Sequence, residues 1–238
     1  MPGGIVSGIS DGIDGAIPHD PSLNVPARIL PSVASVSTFS ATLVDGDGGI
    51  LIPVSLTGIN RVLYVWASTE AGGTGAFFTV EYNGTPLTLF QNAGRVPGWY
   101  IVAPDDGMHD LLFAYNSGGS DSQRVRGGVI GLINASQETI PHREPVALGS
   151  AGGSPTEFTF VPMTTETGDV MIDNLFLAVD VTGDSPGFGQ IERWNLDTPP
   201  PEAGDGSTKT SSGVTDTMSW TVGAGSAWDY AGISVKPA

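Results

Sequence analysis

Cysteine is absent from the 238 residues. That excludes disulfides, zinc-thiolate sites and thiol nucleophiles together, and leaves any metal to oxygen or histidine ligands. Basic charge is scarce: nine Lys and Arg stand against 25 Asp and Glu, for a formal net charge of −16, and only Lys209 and Lys236 are lysines. A nucleic-acid backbone or an anionic lipid surface needs a basic face. The densest basic spot is "RVR" at 124–126, so neither nucleic acid nor membrane is expected as a partner. Long apolar runs are missing too, since no stretch reaches the ~18 residues of a membrane span. The opening "MPGGIVSGISDG" has neither a basic n-region nor a continuous apolar h-region, so synthesis in a cytoplasm without a signal peptide is expected.

What the chain has in quantity is glycine and proline, 34 and 18 residues. Asp-Gly pairs at 11, 14, 45, 47, 106 and 205 put a turn former before a residue free to take positive φ, which accounts for part of the acidity. Between such signals the pattern is that of strands. Period-two alternation places Phe158 and Phe160 on one face of "TEFTFV", Met218, Trp220 and Val222 on one face of "TMSWTV", and Leu111, Phe113 and Tyr115 on one face of "DLLFAYN". "RVLYVWAS", "GVIGLI" and "NLFLAVDV" are apolar on both faces, as strands central to a sandwich are. After residue 35 no window of 12 or more residues keeps a helical stripe clear of Gly and Pro. The predicted fold class is all-β: two packed antiparallel sheets forming a β-sandwich of jelly-roll type over 35–238. A division within "TIPHREPVALGSAGGSP" is the second reading. The stretch "LDTPPPEAGDG", with three prolines, is expected to be a long exposed loop.

Residues 1–34 read as an extended N-terminal arm. Ile5, Ile9, Ile13 and Ile17 recur every fourth residue, each after a small residue, and Pro2, Pro18, Pro21, Pro26 and Pro31 exclude a long continuous helix. About thirty extended residues span up to ~100 Å. Such a ribbon with one apolar edge suits docking on a partner, as an added strand or with isoleucines in separate pockets.

The motifs "GINRVLYVWAS", "FTVEYNGTPLTLF", "WYIVAPDDGMHDLLFAYN", "RGGVIGLINASQETIP" and "MSWTVGAGSAWDYAGISVKPA" follow one another over about 58–238. In that order they resemble a β-sandwich domain recurring in tailed-phage structural proteins and bacterial surface proteins. The resemblance implies display or attachment and brings no shared catalytic residues. It frames two functional readings. The first is a non-enzymatic structural virion protein of a tailed bacteriophage, a capsid decoration, cement or head-spike protein on the particle exterior. Its arm would dock on a major capsid or other head or tail protein and on copies of itself. The alternative is a carbohydrate-binding adhesion module that meets host-surface glycans.

For a glycan, Trp194 with Glu192 and Asn195 is the candidate platform, an aromatic ring flanked by an acid and an amide. Trp66, Trp220 and Trp228 lie in core-like runs and read as packing residues. No cofactor is expected. Calcium is the one metal with candidate donors, Asp45 and Asp47 in "DGDGG" and Asp105 and Asp106 in "PDDGMHD", although neither stretch completes an EF-hand loop and both also read as turns. "GDSPG" at 183–187 matches the G-x-S-x-G elbow of serine hydrolases. The residue after the serine, Pro186, has no N–H to offer an oxyanion, so the stretch reads as a turn and no enzyme is expected.

Overall fold

The computed structural model describes residues 28–70, 75–92, 94–150, 156–160, 162–179, 184–197, 202–223 and 227–238. Ile5, Ile9, Ile13 and Ile17 of the expected docking arm lie outside the described residues.

The first part of the chain forms β1 (Ser32–Val44), β2 (Ile50–Leu56), β3 (Val62–Thr69), β4 (Phe78–Tyr82), β5 (Thr85–Pro86), β6 (Thr88–Gln91), β7 (Gly98–Val102), β8 (Gly107–Tyr115) and β9 (Ser122–Ile133). They assemble into two antiparallel sheets, β1-β9-β3-β7-β6 and β2-β8-β4-β5. Turn chemistry sets the connections. Asn83 and Gly84 both take positive φ, 49° and 77°, as a two-residue turn between β4 and β5 requires. β1 starts at Ser32, paired with Ile133, so the strand begins three residues inside the stretch that the sequence assigns to the arm.

After the crossing at 134–145 come β10 (Val146–Ser150), β11 (Glu157–Thr159), β12 (Met163–Thr164), β13 (Val170–Leu177), β14 (Ser185–Pro186), β15 (Ile191–Leu196), β16 (Ala203–Thr210), β17 (Thr215–Asp216), β18 (Ser219–Thr221) and β19 (Trp228–Val235). Here the sheets are β10-β19-β13-β16-β15 and β11-β18-β14, with β12 and β17 as a separate pair. The larger sheet repeats the order of the first part: opening strand, closing strand, the central strand, then two more. Among the described residues there is no α-helix.

Four layers result, where the sequence suggests two. Phe39, Phe78, Trp99 and Phe113 fill the space between the first two sheets. Tyr64, Trp66, Ile130, Ile172, Phe176 and Trp194 join the two five-stranded sheets face to face. Phe158, Phe160, Trp220 and Tyr230 pack the second five-stranded sheet against its three-stranded cover. Both five-stranded sheets are therefore inner layers, and β3 and β13 are buried along their whole length. This is why "RVLYVWAS" and "NLFL" are apolar on both faces.

The expected exposed loop is partly wrong. Residues 203–208 of "AGDGSTKT" are buried within the inner strand β16. A Cβ on Gly206 would lie 2.0 Å from the Trp194 ring, and one on Gly204 would lie 3.0 Å from Ser68. These glycines are small because neighbouring layers occupy the space a side chain would take, and not because the chain turns there.

Candidate functional site

The inner sheet of the second part carries an unusual run of acids. Alternation along β13 and β16 sends Asp173, Asp205 and Ser207 to the side of the three-stranded cover, with Asp173 opposite Ser207 and Asp205 opposite Leu175. Asp173 has no exposure, and its carboxylate accepts from the Ser207 N–H at 2.7 Å, the Ser207 hydroxyl at 2.8 Å and the Trp220 indole N–H at 2.9 Å. Burial pushes its pKa up to about 7, against these hydrogen bonds, which lower it.

Asp205 is equally buried, yet neither of its carboxylate oxygens has a hydrogen-bond partner among the described residues. Burial first, and then the charges of Asp184, Asp197, Glu192 and Asp173, push its pKa well above the ordinary carboxylate range. Asp184 immediately precedes β14 and Asp197 follows β15, and one oxygen from each of Asp184, Asp197 and Asp205 lies within 4.8 Å of the others. Asn195 stands opposite Asp205 across β15 and β16. Its side-chain NH₂ lies 3.1 Å from both Asp197 oxygens and donates to that carboxylate.

The residues expected to form sites have other places. Trp194 is 3% exposed, with its ring seated between Gly128 and Gly206 at the interface of the two inner sheets. It offers no open ring to a sugar, which corrects the expected platform; Glu192 is exposed beside it, and Asn195 belongs to the acidic cluster. Among the described residues the expected calcium donors join no group of three acids. Asp45 accepts from the Ser117 N–H and hydroxyl at 3.0 and 3.1 Å, Asp105 accepts from the Asn83 amide at 2.7 Å, and Asp106 pairs with Arg61 at 3.2 Å. Asp47 is exposed in the turn before β2. Ser185 and Pro186 form β14 and pair with β18, so the serine sits on a strand, and among the described residues no helix follows it.

The acidic cluster was hidden in the sequence because its members lie in "GDSPG", "NLDT" and "AGDG", each of which reads as a turn. The one local signal is the spacing of Asn195 and Asp197, and of Asp205 and Ser207, two apart and so on one face of a strand.

A second feature is an open cleft of about 480 Å³ lined by Thr88, Phe90, Tyr100, Ile140, His142 and Arg143, among others. His142 is 5% exposed and shares a 3.1 Å hydrogen bond with Tyr64 through Nδ1. Burial, with the charge of Lys236 second, lowers its pKa to about 4, so it is neutral at ordinary pH. The Tyr100 hydroxyl donates to the Thr139 carbonyl at 2.8 Å. These are the contacts of a packed aromatic cluster that holds the crossing segment to the first sheet pair.

No protein-family model matches the chain, and no curated protein matches it. Among solved structures it is similar to "Crystal structure of infectious bursal disease virus VP2 subviral particle", with a TM-score of 0.27 and 8% identity. The match covers 89% of this chain, and the chain spans 43% of the length of that protein.

Proposed function

We propose that the chain is a non-enzymatic structural virion protein of a tailed bacteriophage. In this reading it sits on the particle exterior as a capsid decoration, cement or head-spike protein, docked through residues 1–34 on other virion proteins and on its own copies. The observation that carries the reading is the strand order. β1-β9-β3-β7 faces β2-β8-β4-β5, and β10-β19-β13-β16 faces β11-β18-β14. Outside the separate β12 and β17 pair, most successive strands in each part cross to the facing sheet, the exceptions being β4–β5 and β6–β7 in the first part and β15–β16 in the second, and this order supports a jelly-roll reading of each part. Jelly rolls are a recurrent architecture of viral shells and of lectins, so the argument is one of fold-level analogy.

The start of the described chain fits the same reading. Arg28 pairs with Glu166 at 3.5 Å and Leu30 covers Gly168, which sets the start of the described chain against the turn before β13, with Ile29 and Leu30 exposed. The net charge of −16 favours a position away from packaged nucleic acid. With Trp194 buried, the glycan-binding alternative loses the ring on which it rested.

The test is rebinding to particles stripped of the protein, using the full chain and a form lacking residues 1–27. The truncation stops before Ser32 so that the β1 pairing with β9 is kept. The full chain should bind saturably and the truncated form should stay in the supernatant with an unchanged unfolding transition. Equal binding of both forms would overturn the docking role of the arm.

A further inference from the structure

Three carboxylates gathered in a partly buried place repel one another, and a protein tolerates this only where a proton or a cation compensates. Each of the nine Lys and Arg side chains has a bonded partner outside the cluster. Arg28, Arg61, Arg95, Arg124, Arg126, Arg143, Lys209 and Lys236 make ion pairs with other acids, and Arg193 donates to the Thr208 hydroxyl. Asp205 adds an independent sign: a carboxylate with no exposure, aimed into the cluster, with both oxygens lacking a hydrogen-bond donor among the described residues. A buried acceptor left open in this way normally has a partner.

The spacing suits a hard cation. Oxygens bound to one calcium ion at about 2.4 Å lie at most about 4.8 Å apart. The oxygens of Asp184, Asp197 and Asp205 fall within 4.8 Å of one another. Asn195, opposite Asp205, donates its side-chain NH₂ to Asp197 and so positions that carboxylate. Carboxylate oxygens from separate segments, completed by water, make the adaptable donor set that calcium accepts, whereas magnesium demands a tighter octahedron.

We propose that Asp184, Asp197 and Asp205 bind one calcium ion. The ion ties the start of β14, in the three-stranded cover, to the β15 and β16 edge of the inner sheet. It neutralises two of three carboxylate charges and fills the open valences of Asp205. Its role is structural, a clamp that fixes β14, held within the cover by only two residues of pairing with β18, to the inner sheet.

The experiment uses the full chain freed of divalent ions with a chelator, then titrated by calorimetry with calcium chloride and, separately, magnesium chloride. The expected result is one calcium per chain and a rise in Tm of about 5 to 10 °C at a hundredfold excess over Kd. Asp205→Asn should abolish the heat of binding and the Tm rise while folding, because it removes a buried charge without changing size. Asp197→Asn, at a half-buried position, should weaken binding at least tenfold and serves if the first variant fails to fold. Asp47→Asn should leave both readouts unchanged. No binding up to about 10 mM calcium, beyond the weakest range of extracellular calcium modules, would overturn the proposal. So would binding retained in the Asp205 and Asp197 variants, or an equal Tm rise with magnesium.

Discussion

Asp173→Asn offers a sharp test of the buried polar layer. In the folded chain burial holds the Asp173 pKa up to about 7, whereas an unfolded aspartate titrates at about 3.9. A raised carboxylate pKa means that the folded state keeps a proton the unfolded state has released. The associated stability is complete below the unfolded value and is lost as pH rises through the folded one. Between about pH 5 and about pH 8.5 the loss works out at about 3 kcal/mol.

His142 runs in the opposite direction. Its folded pKa is lowered to about 4, so its stability is complete above the unfolded value and is lost as pH falls, by about 2 kcal/mol at about pH 5. The two slopes largely cancel in the unaltered protein, and the variant separates them. An asparagine cannot accept from both Ser207 and Trp220 as the carboxylate does, so it forfeits a buried bond at about 1–3 kcal/mol. Urea unfolding followed by tryptophan fluorescence should show the variant less stable than the parent on the acid side. That deficit should shrink or reverse by about 3 kcal/mol on the alkaline side. A deficit constant across the range would refute the assignment of a raised pKa to Asp173.

Three further substitutions test the layers. Trp194→Ala should cost about 3–5 kcal/mol in urea unfolding, as loss of a fully buried indole between two sheets does, and should leave a glycan array as blank as the parent. Glu202→Gln should cost about 3–5 kcal/mol, because Arg126, 1% exposed, then loses the carboxylate 3.5 Å away. A change below about 1 kcal/mol would place that pair among screened surface bridges. Arg143→Ala removes the 2.6 Å ion pair to the fully buried Asp169, which keeps the Glu166 N–H and the Ser234 hydroxyl at 2.9 Å. It should lower the thermal midpoint by several degrees in scanning calorimetry, and an unchanged midpoint would show that those two donors suffice.

The strands were legible where side chains alternate or where both faces are apolar. "TEFTFV" and "TMSWTV" became β11 and β18 of the outer cover, and "DLLFAYN" became part of β8. "RVLYVWAS" and "NLFL" announced inner strands, but the sequence does not say that two sheets, rather than single strands, are covered on both faces. That depends on long-range stacking through Tyr64, Trp66, Ile172 and Phe176. β16 was illegible because its glycines leave room for Trp194, and its polar residues face a buried acidic layer, so it has neither period two nor apolar content. Asp184, Asp197 and Asp205 each carry a good local explanation as turn residues, and only the pairing of β15 with β16 and of β14 with β18 brings them together. The tryptophans Trp66 and Trp220 are fully buried, as their neighbours predicted, whereas the acid and amide flanking Trp194 suggested an exposed ring that the layer interface conceals.

The most direct measurement of the functional account is a reconstruction of intact phage particles that carry the chain. The account predicts a four-layer β body on the outer face of the shell or tail, with density for residues 1–27 running along a neighbouring subunit and Ile5, Ile9, Ile13 and Ile17 set against it. A body on the nucleic-acid side of the shell, or particles complete without the chain, would contradict it.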